Sequence, residues 1–221
     1  MVIAIDGPGG VGKSTVARRV AAARGLEYLD TGATYRAAAL AAIQAGADLE
    51  NSAEVVAAVG AATITYSSGA VYLDGVNVSE PIRTPEITAA SSAVAAIPEV
   101  RFIVVAMQRT WVDGRGGRAV VEGRDIGTVV FPDAAVKIFL TARPEIRAAR
   151  RAHDAEADGA AVTEVRAALE KRDRADSTRV VSPLRPARDA VVIDTSDMTL
   201  DAVIAEVIGQ VDLKGNRPRL L

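Results

Sequence analysis

The octapeptide Gly7-Pro-Gly-Gly-Val-Gly-Lys-Ser14 stands directly after a nearly all-apolar run, Val2–Asp6, and directly before Ser14–Arg24, which reads as a helix. A short apolar run of this kind is a parallel strand buried on both faces. The octapeptide matches Gly-x4-Gly-Lys-Ser. Its glycines let the backbone amides curl around an anion, and the following helix presents its positive end. Lys13 then reaches the β- and γ-phosphates of a nucleotide, and the Ser14 hydroxyl sits on Mg²⁺. A chance glycine-rich turn needs neither a strand before it nor a helix after it. The feature is a phosphate-binding loop, with Gly7, Pro8, Gly9, Gly10, Val11, Gly12, Lys13, Ser14 and Thr15 around the donor nucleotide.

The remaining pattern alternates. Glu27–Asp30 is a second short strand and 32–45 an Ala-rich helix, with further strands over 118–121, 136–141 and 190–194. Helices are expected over 85–112, after Thr141, over 164–176 and over 200–211. Five near-continuous apolar strands separated by helices predict an open parallel α/β sheet. From 61 to 78 the period switches to two, with Ser-Ser-Gly and Asp-Gly breaks, which predicts a small antiparallel insert. Residues 155–161 form a soft, small-residue break, and 213–221 a loose tail.

Composition narrows the function. A chain of 221 residues that is 49% hydrophobic and 24% charged buries a core, which excludes disorder. A net charge of −2 and a pI near 5.6 leave no footprint for bulk nucleic-acid or membrane binding. With no Cys and one His, disulfides and zinc sites lack ligands. No apolar run reaches membrane-spanning length and the first residues lack the shape of a signal peptide, so a cytoplasmic protein is expected. Of 26 basic side chains only four are Lys (Lys13, Lys137, Lys171, Lys214). Arginine suits bidentate phosphate recognition, although genome composition explains the same bias.

A phosphate loop names the ligand, not the reaction. No Asn is followed by Lys, so the base-reading Asn-Lys-x-Asp of GTPases is absent, and the chain is short for an ATPase motor. A small kinase remains, its acceptor lying over the carboxyl edge of the sheet. Asp30-Thr-Gly-Ala-Thr-Tyr-Arg36 follows the second strand, where Thr31 caps a helix and Tyr35 and Arg36 face a ligand. Glu122-Gly-Arg-Asp-Ile-Gly127 follows the third and places Arg124 and Asp125 beside the phosphate loop. Arg143, Arg147 and Arg151 share one helical face, with Arg150 beside them. Arg172, Asp173, Arg174, Asp176 and Arg179 form a second cluster. Solvated faces and salt-bridge ladders explain such clusters too, but two phosphate-bearing substrates explain both at once.

These motifs, with Val94-Ala-Ala-Ile-Pro-Glu-Val-Arg101 and Lys171-Arg-Asp-Arg-Ala-Asp176, resemble those of the bacterial cytidylate kinases almost end to end. The resemblance implies one P-loop kinase domain with a five-stranded parallel sheet flanked by helices. Its core covers 1–30, 102–145 and 177–212, a nucleoside-monophosphate region with the β insert covers about 31–101, and a short lid about 146–165. It implies that Ser92 (or its neighbour Ser91), Arg101 and Asp125 read cytosine. Arg36, Arg124 and Arg179 hold the acceptor phosphate in a pocket shaped by Thr31 and Tyr35, while Arg172 and Asp176 contact the sugar. Arg147 and Arg151 close over the ATP phosphates, and Arg188 borders the adenine. Lys13, Arg124, Arg147, Arg151 and Arg179 are then the catalytic set, and Ser14 the metal ligand. Thr31 and Glu122 stand where many relatives have Ser and Asp. The implied reaction is transfer from Mg·ATP to CMP and dCMP by a monomer, without nucleic-acid or membrane partners. Other small P-loop kinases (for UMP, dephospho-coenzyme A or shikimate) and a non-catalytic nucleotide-binding regulator are the competing readings. His153 and Trp111 are expected to be structural.

Overall fold

The computed structural model describes residues 1–67, 69–153 and 161–215. The chain opens β1 (Val2–Asp6), α1 (Lys13–Arg24), β2 (Glu27–Asp30), α2 (Thr31–Gln44) and α3 (Ser52–Ala61). It continues with β3 (Ile64–Ser67), β4 (Ala70–Leu73), β5 (Val76–Asn77), α4 (Pro85–Val94) and α5 (Pro98–Asp113). Then come β6 (Ala119–Gly123), a single wide helical turn at Ile126–Val130, β7 (Val136–Thr141), α6 (Pro144–Ala152), α7 (Val162–Thr178), β8 (Val191–Asp194) and α8 (Leu200–Gly215). The chain packs as two compact units, residues 1–28 with 112–221, and residues 29–111.

The first unit is built on the five-stranded sheet, in the order β2-β6-β1-β7-β8. β1 pairs in parallel with β6 and β7, and β7 with β8. Central β1 is covered on both faces, which is why it reads Val-Ile-Ala-Ile with no polar alternation. Ile3, Ile5, Val16, Val20, Ile138, Leu140 and Val207 form the core beneath α1 and α8. The register sets Asp6 opposite Gly123 and Phe139, so the segments leaving β1 and β6 emerge side by side at the carboxyl edge.

The second unit surrounds α2. Ala37, Ala38, Ala39, Ala41 and Ala42 are all buried, because this helix is packed on several sides and small side chains let its neighbours approach closely. The antiparallel sheet β3-β4-β5 confirms the expected insert. Trp111, at the end of α5, donates from Nε1 to the Tyr66 carbonyl at 2.6 Å and meets the Tyr66 ring edge-on.

Three expectations need correction. The single helix expected over 85–112 is two, α4 and α5, bent by 103° at a short break. Pro98 starts the second because its ring fits a first turn and disrupts an interior. Helix α3 was not expected, and Asn51 caps it by accepting from Ala53 and Glu54 amides. Helix α8 runs to Gly215, beyond the start of the expected tail. The rest of that tail, and the break at 155–161 apart from Ala161, lie outside the described residues.

Candidate active site

In the first unit, the turn after β1 wraps a space floored by backbone. Gly7 adopts φ +151°, and a Cβ there would lie 2.2 Å from the Leu140 carbonyl oxygen. Gly10, at φ +75°, would collide with the Arg147 carbonyl oxygen at 2.7 Å. No other residue fits either position. Helix α1 begins at Gly12 with no side-chain cap, unlike α2, α3 and α4, which Asp30, Asn51 and Thr84 cap. Its first-turn amides therefore remain a site for an anion.

Lys13 is buried at the start of α1 and donates from Nζ to the Pro8 carbonyl at 2.7 Å. Burial, with the Arg124 charge next, lowers its pKa to about 7. The Ser14 and Thr15 side chains are exposed on the same turn. A hydroxyl in that position suits the coordination of a hard cation carried by phosphates. Among the described residues no cluster of three His, Cys, Asp or Glu side chains offers a further cation site.

Arg147 is the most engaged of the α6 arginines. It is buried, donates to the Gly9 carbonyl at 3.1 Å and forms an ion pair with Asp173. Asp173 also accepts from the Gly9 amide at 3.1 Å, so α6 and α7 both close on the phosphate loop. Arg143, expected on that face, stands at the surface just before α6, makes no side-chain cap to it, and pairs with Asp197 at 2.7 Å, which holds its pKa above the usual range. Arg150 donates to Thr195. Arg151 is half-buried one turn beyond Arg147, His153 is exposed, and Arg188 is exposed in the loop before β8.

The acceptor-side residues of this unit meet at α7. Arg124 donates from Nε to Asp176 at 3.0 Å, and the Arg179 guanidinium lies 3.7 Å from the same carboxylate. One carboxylate thus gathers two arginines, and Arg172 stands half-buried one turn earlier. Buried Asp125 begins the wide turn at 126–130. Glu122 accepts from the Tyr28 hydroxyl at 2.5 Å, and the longer carboxylate reaches that partner from β6.

In the second unit, Asp30 rather than Thr31 caps α2, accepting from the Ala33 amide at 3.0 Å, and its other oxygen pairs with Arg36 at 3.2 Å. Tyr35 lies under the Arg101 guanidinium at 5.2 Å, and Arg101 also donates to the Ala95 carbonyl. Ser91 is buried with its hydroxyl donating to the Thr88 carbonyl, whereas Ser92 is half-buried. A separate cavity of about 370 Å³ in this unit is lined by Thr34, Gln108 and Trp111 among others, and by none of the expected site residues.

Asp6 was not foreseen beside these residues, and Asp173 was placed in the second cluster without a role at the phosphate loop. Asp6 is 4% exposed and its carboxylate accepts the amides of Ile126 and Gly127, each at 2.8 Å. Its signal was present in the sequence, since a carboxylate closing an all-apolar central strand must find a buried partner.

The cytidylate kinase family model matches residues 3–213. The chain is 49% identical over 218 residues to a cytidylate kinase of Streptomyces avermitilis, which covers 97% of this chain and 94% of the relative. It is 50% identical over 210 residues to a cytidylate kinase of Mycobacterium leprae, covering 94% of each. A crystal structure of an uncharacterized protein from Eubacterium ventriosum shares the fold, with a TM-score of 0.53, 14% identity and coverage of 96% and 98% of the two chains.

Proposed function

The chain belongs to the cytidylate kinase family, and on that premise we propose that it transfers the γ-phosphoryl group of Mg·ATP to CMP and dCMP, giving CDP or dCDP and ADP. The observation that carries this reading is the family match across nearly the whole chain. The phosphate loop with its uncapped helix and buried Lys13 supports it.

The CMP phosphate oxygen attacks the γ-phosphorus in line as the bond to the ADP oxygen breaks. A phosphate monoester has a second pKa of about 6, so the attacking oxygen is already anionic near neutral pH and needs no general base. The protein's task is positioning and charge neutralisation. Lys13 and the α1 amides hold the β- and γ-phosphates, and the Ser14 hydroxyl would hold a Mg²⁺ ion, which when bound would supply further charge neutralisation. Arg147 and Arg151 neutralise the donor from α6, with Arg188 beside the adenine. Arg36, Arg124 and Arg179 orient the acceptor phosphate, Thr31 and Tyr35 shape its pocket, and Arg172 and Asp176 hold the sugar. Ser92, Arg101 and Asp125 read the base. An ionised carboxylate only accepts, so Asp125 suits the cytosine N4 amino group and opposes the uracil O4. The lid expected over about 146–165, of which residues 154–160 lie outside the described residues, would exclude water during transfer. The enzyme works as a cytoplasmic monomer.

A coupled ADP-release assay across CMP, dCMP, UMP, AMP and GMP tests the proposal. Turnover with CMP and dCMP should exceed that with UMP by roughly 10², because two buried polar groups lose their partners on uracil. Equal turnover with UMP removes the base-reading assignment, and ADP release with none of the five removes the kinase reading.

A further inference from the structure

We propose that Asp6 is a positioning residue for base selection: its carboxylate caps the turn at 126–130 from the neighbouring strand and thereby fixes Arg124 and Asp125 toward the acceptor. The inference rests on the cytidylate reading of Asp125. It adds a residue that touches neither substrate.

The geometry is specific. A helical turn leaves its first amides without partners, and the residue at its start ordinarily accepts from them through its own side chain. Asp125 occupies that starting position and makes no such cap. Asp6 does the work instead, one oxygen accepting from Ile126 and the other from Gly127, both at 2.8 Å. Within the turn, Val129 and Val130 both donate to the Asp125 carbonyl, so its backbone is held from inside as well. Asp125 is thus fixed by its main chain, and its carboxylate is not consumed as a helix cap.

The surroundings agree. Asp6 pairs in register with Gly123, so the cap comes from the strand that lies beside the start of the Arg124–Asp125 segment. Gly127 sits close against its neighbours: a Cβ there would lie 3.2 Å from the Lys137 side chain and 3.4 Å from the Asp6 carboxylate. Burial pushes the Asp6 pKa up to about 6, while the two amides pull it back toward the ionised form that can accept twice.

The test is Asp6→Asn. An amide keeps the size but replaces one acceptor oxygen with a donor, which must face one of the two N–H groups. Folding is checked by circular dichroism and thermal melting, and kinetics are measured with CMP, UMP and ATP. The expected result is a raised CMP KM and a CMP-to-UMP ratio of kcat/KM narrowed about tenfold, the loss of roughly one charge-assisted hydrogen bond. The ATP KM should change less than the CMP KM, because the Asp6 carboxylate accepts from the turn at 126–130 while its charge reaches Lys13 only through space. An unchanged ratio in a folded variant overturns the proposal. So does an equal loss for CMP, UMP and ATP, which is the mark of a purely structural residue. If Asp6→Asn does not fold, Asp6→Glu keeps both acceptor oxygens but carries them one methylene away from the Ile126 and Gly127 amides, and it should narrow the ratio in the same way; an unchanged ratio there also overturns the inference. CMP affinity by titration calorimetry needs no turnover. Wild-type protein that binds CMP without releasing ADP refutes the kinase reading alone, whereas unaltered CMP affinity in a folded Asp6→Asn refutes the role of Asp6.

Discussion

Lys13 combines two demands that conflict in the absence of nucleotide. It must carry charge to the phosphates, yet it is buried beside Arg124 and its pKa falls to about 7. Burial thus favours the neutral amine in the free protein at alkaline pH, and polyphosphate binding favours the charged form. Titration calorimetry of ATP in two buffers of different ionisation enthalpy should therefore show proton uptake of up to about one equivalent at pH 8, and clearly less at pH 6. Lys13→Met should abolish the difference, and equal uptake at both pH values in the wild type would refute the assignment. The stability sign follows from the same shift. The native pKa lies below the unfolded value of 10.5, so between about 7 and 10.5 the unfolded chain binds more protons. This residue's contribution to stability thus rises with pH across that window. At this scale the sequence was legible in the local motif: the expected turn follows β1 and Lys13 is buried at the start of α1. It was opaque where the partner lies far along the chain. Asp6 meets Gly127 after 121 residues, and Arg147 meets Asp173 across 26. No local spacing reveals either pair.

Elements were read from periodicity, and periodicity failed where it is weakest. Helix α3 is short and its Ala-rich face carries little contrast, but Asn51-Ser-Ala-Glu54 is a capping signature that marks its start. Asn51 accepts from two amides and also donates to Glu54 at 2.7 Å. Asn51→Ala should lower stability by about 1 kcal/mol without changing the CMP or ATP KM, because the cap lies outside the substrate residues. Denaturant melts and steady-state kinetics on one preparation check both halves, and a raised KM would tie α3 to the site. The break between α4 and α5 was equally marked by Pro98, yet hydrophobic continuity across Ala95–Ile97 masked it. The five parallel strands were legible because central burial makes each a compact apolar run. Arg143 was misplaced because regular four-residue spacing presumes that all three positions lie within the helix, whereas Arg143 stands just before its first residue, Pro144.

At the scale of the whole molecule, the division into two compact units left a trace in composition at one boundary only: the Gly- and charge-rich Asp113-Gly-Arg-Gly-Gly-Arg118 follows 111–112 directly, whereas the boundary at 28–29 falls inside the short strand β2. Composition also bears on how a cation would be held. With no Cys and one His, and with no cluster of three His, Cys, Asp or Glu among the described residues, no all-protein cage for Mg²⁺ is found there, and a hydroxyl such as that of Ser14 suits an ion whose remaining ligands are phosphates and water. The ion should therefore bind as part of Mg·ATP rather than as a resident cofactor. Ligands that bind only the native state stabilise it by mass action, about 2.7 kcal/mol at a hundredfold excess over Kd. For a chain of this size that corresponds to a rise in Tm of roughly 5–10 °C. Mg·ATP at that excess should produce such a shift, Mg²⁺ alone should leave Tm unchanged, and Lys13→Ala should lose most of the shift while keeping the wild-type Tm without ligand to within a few degrees. A shift with Mg²⁺ alone as large as with Mg·ATP would mean a resident cation site, and the phosphate loop would no longer account for the metal.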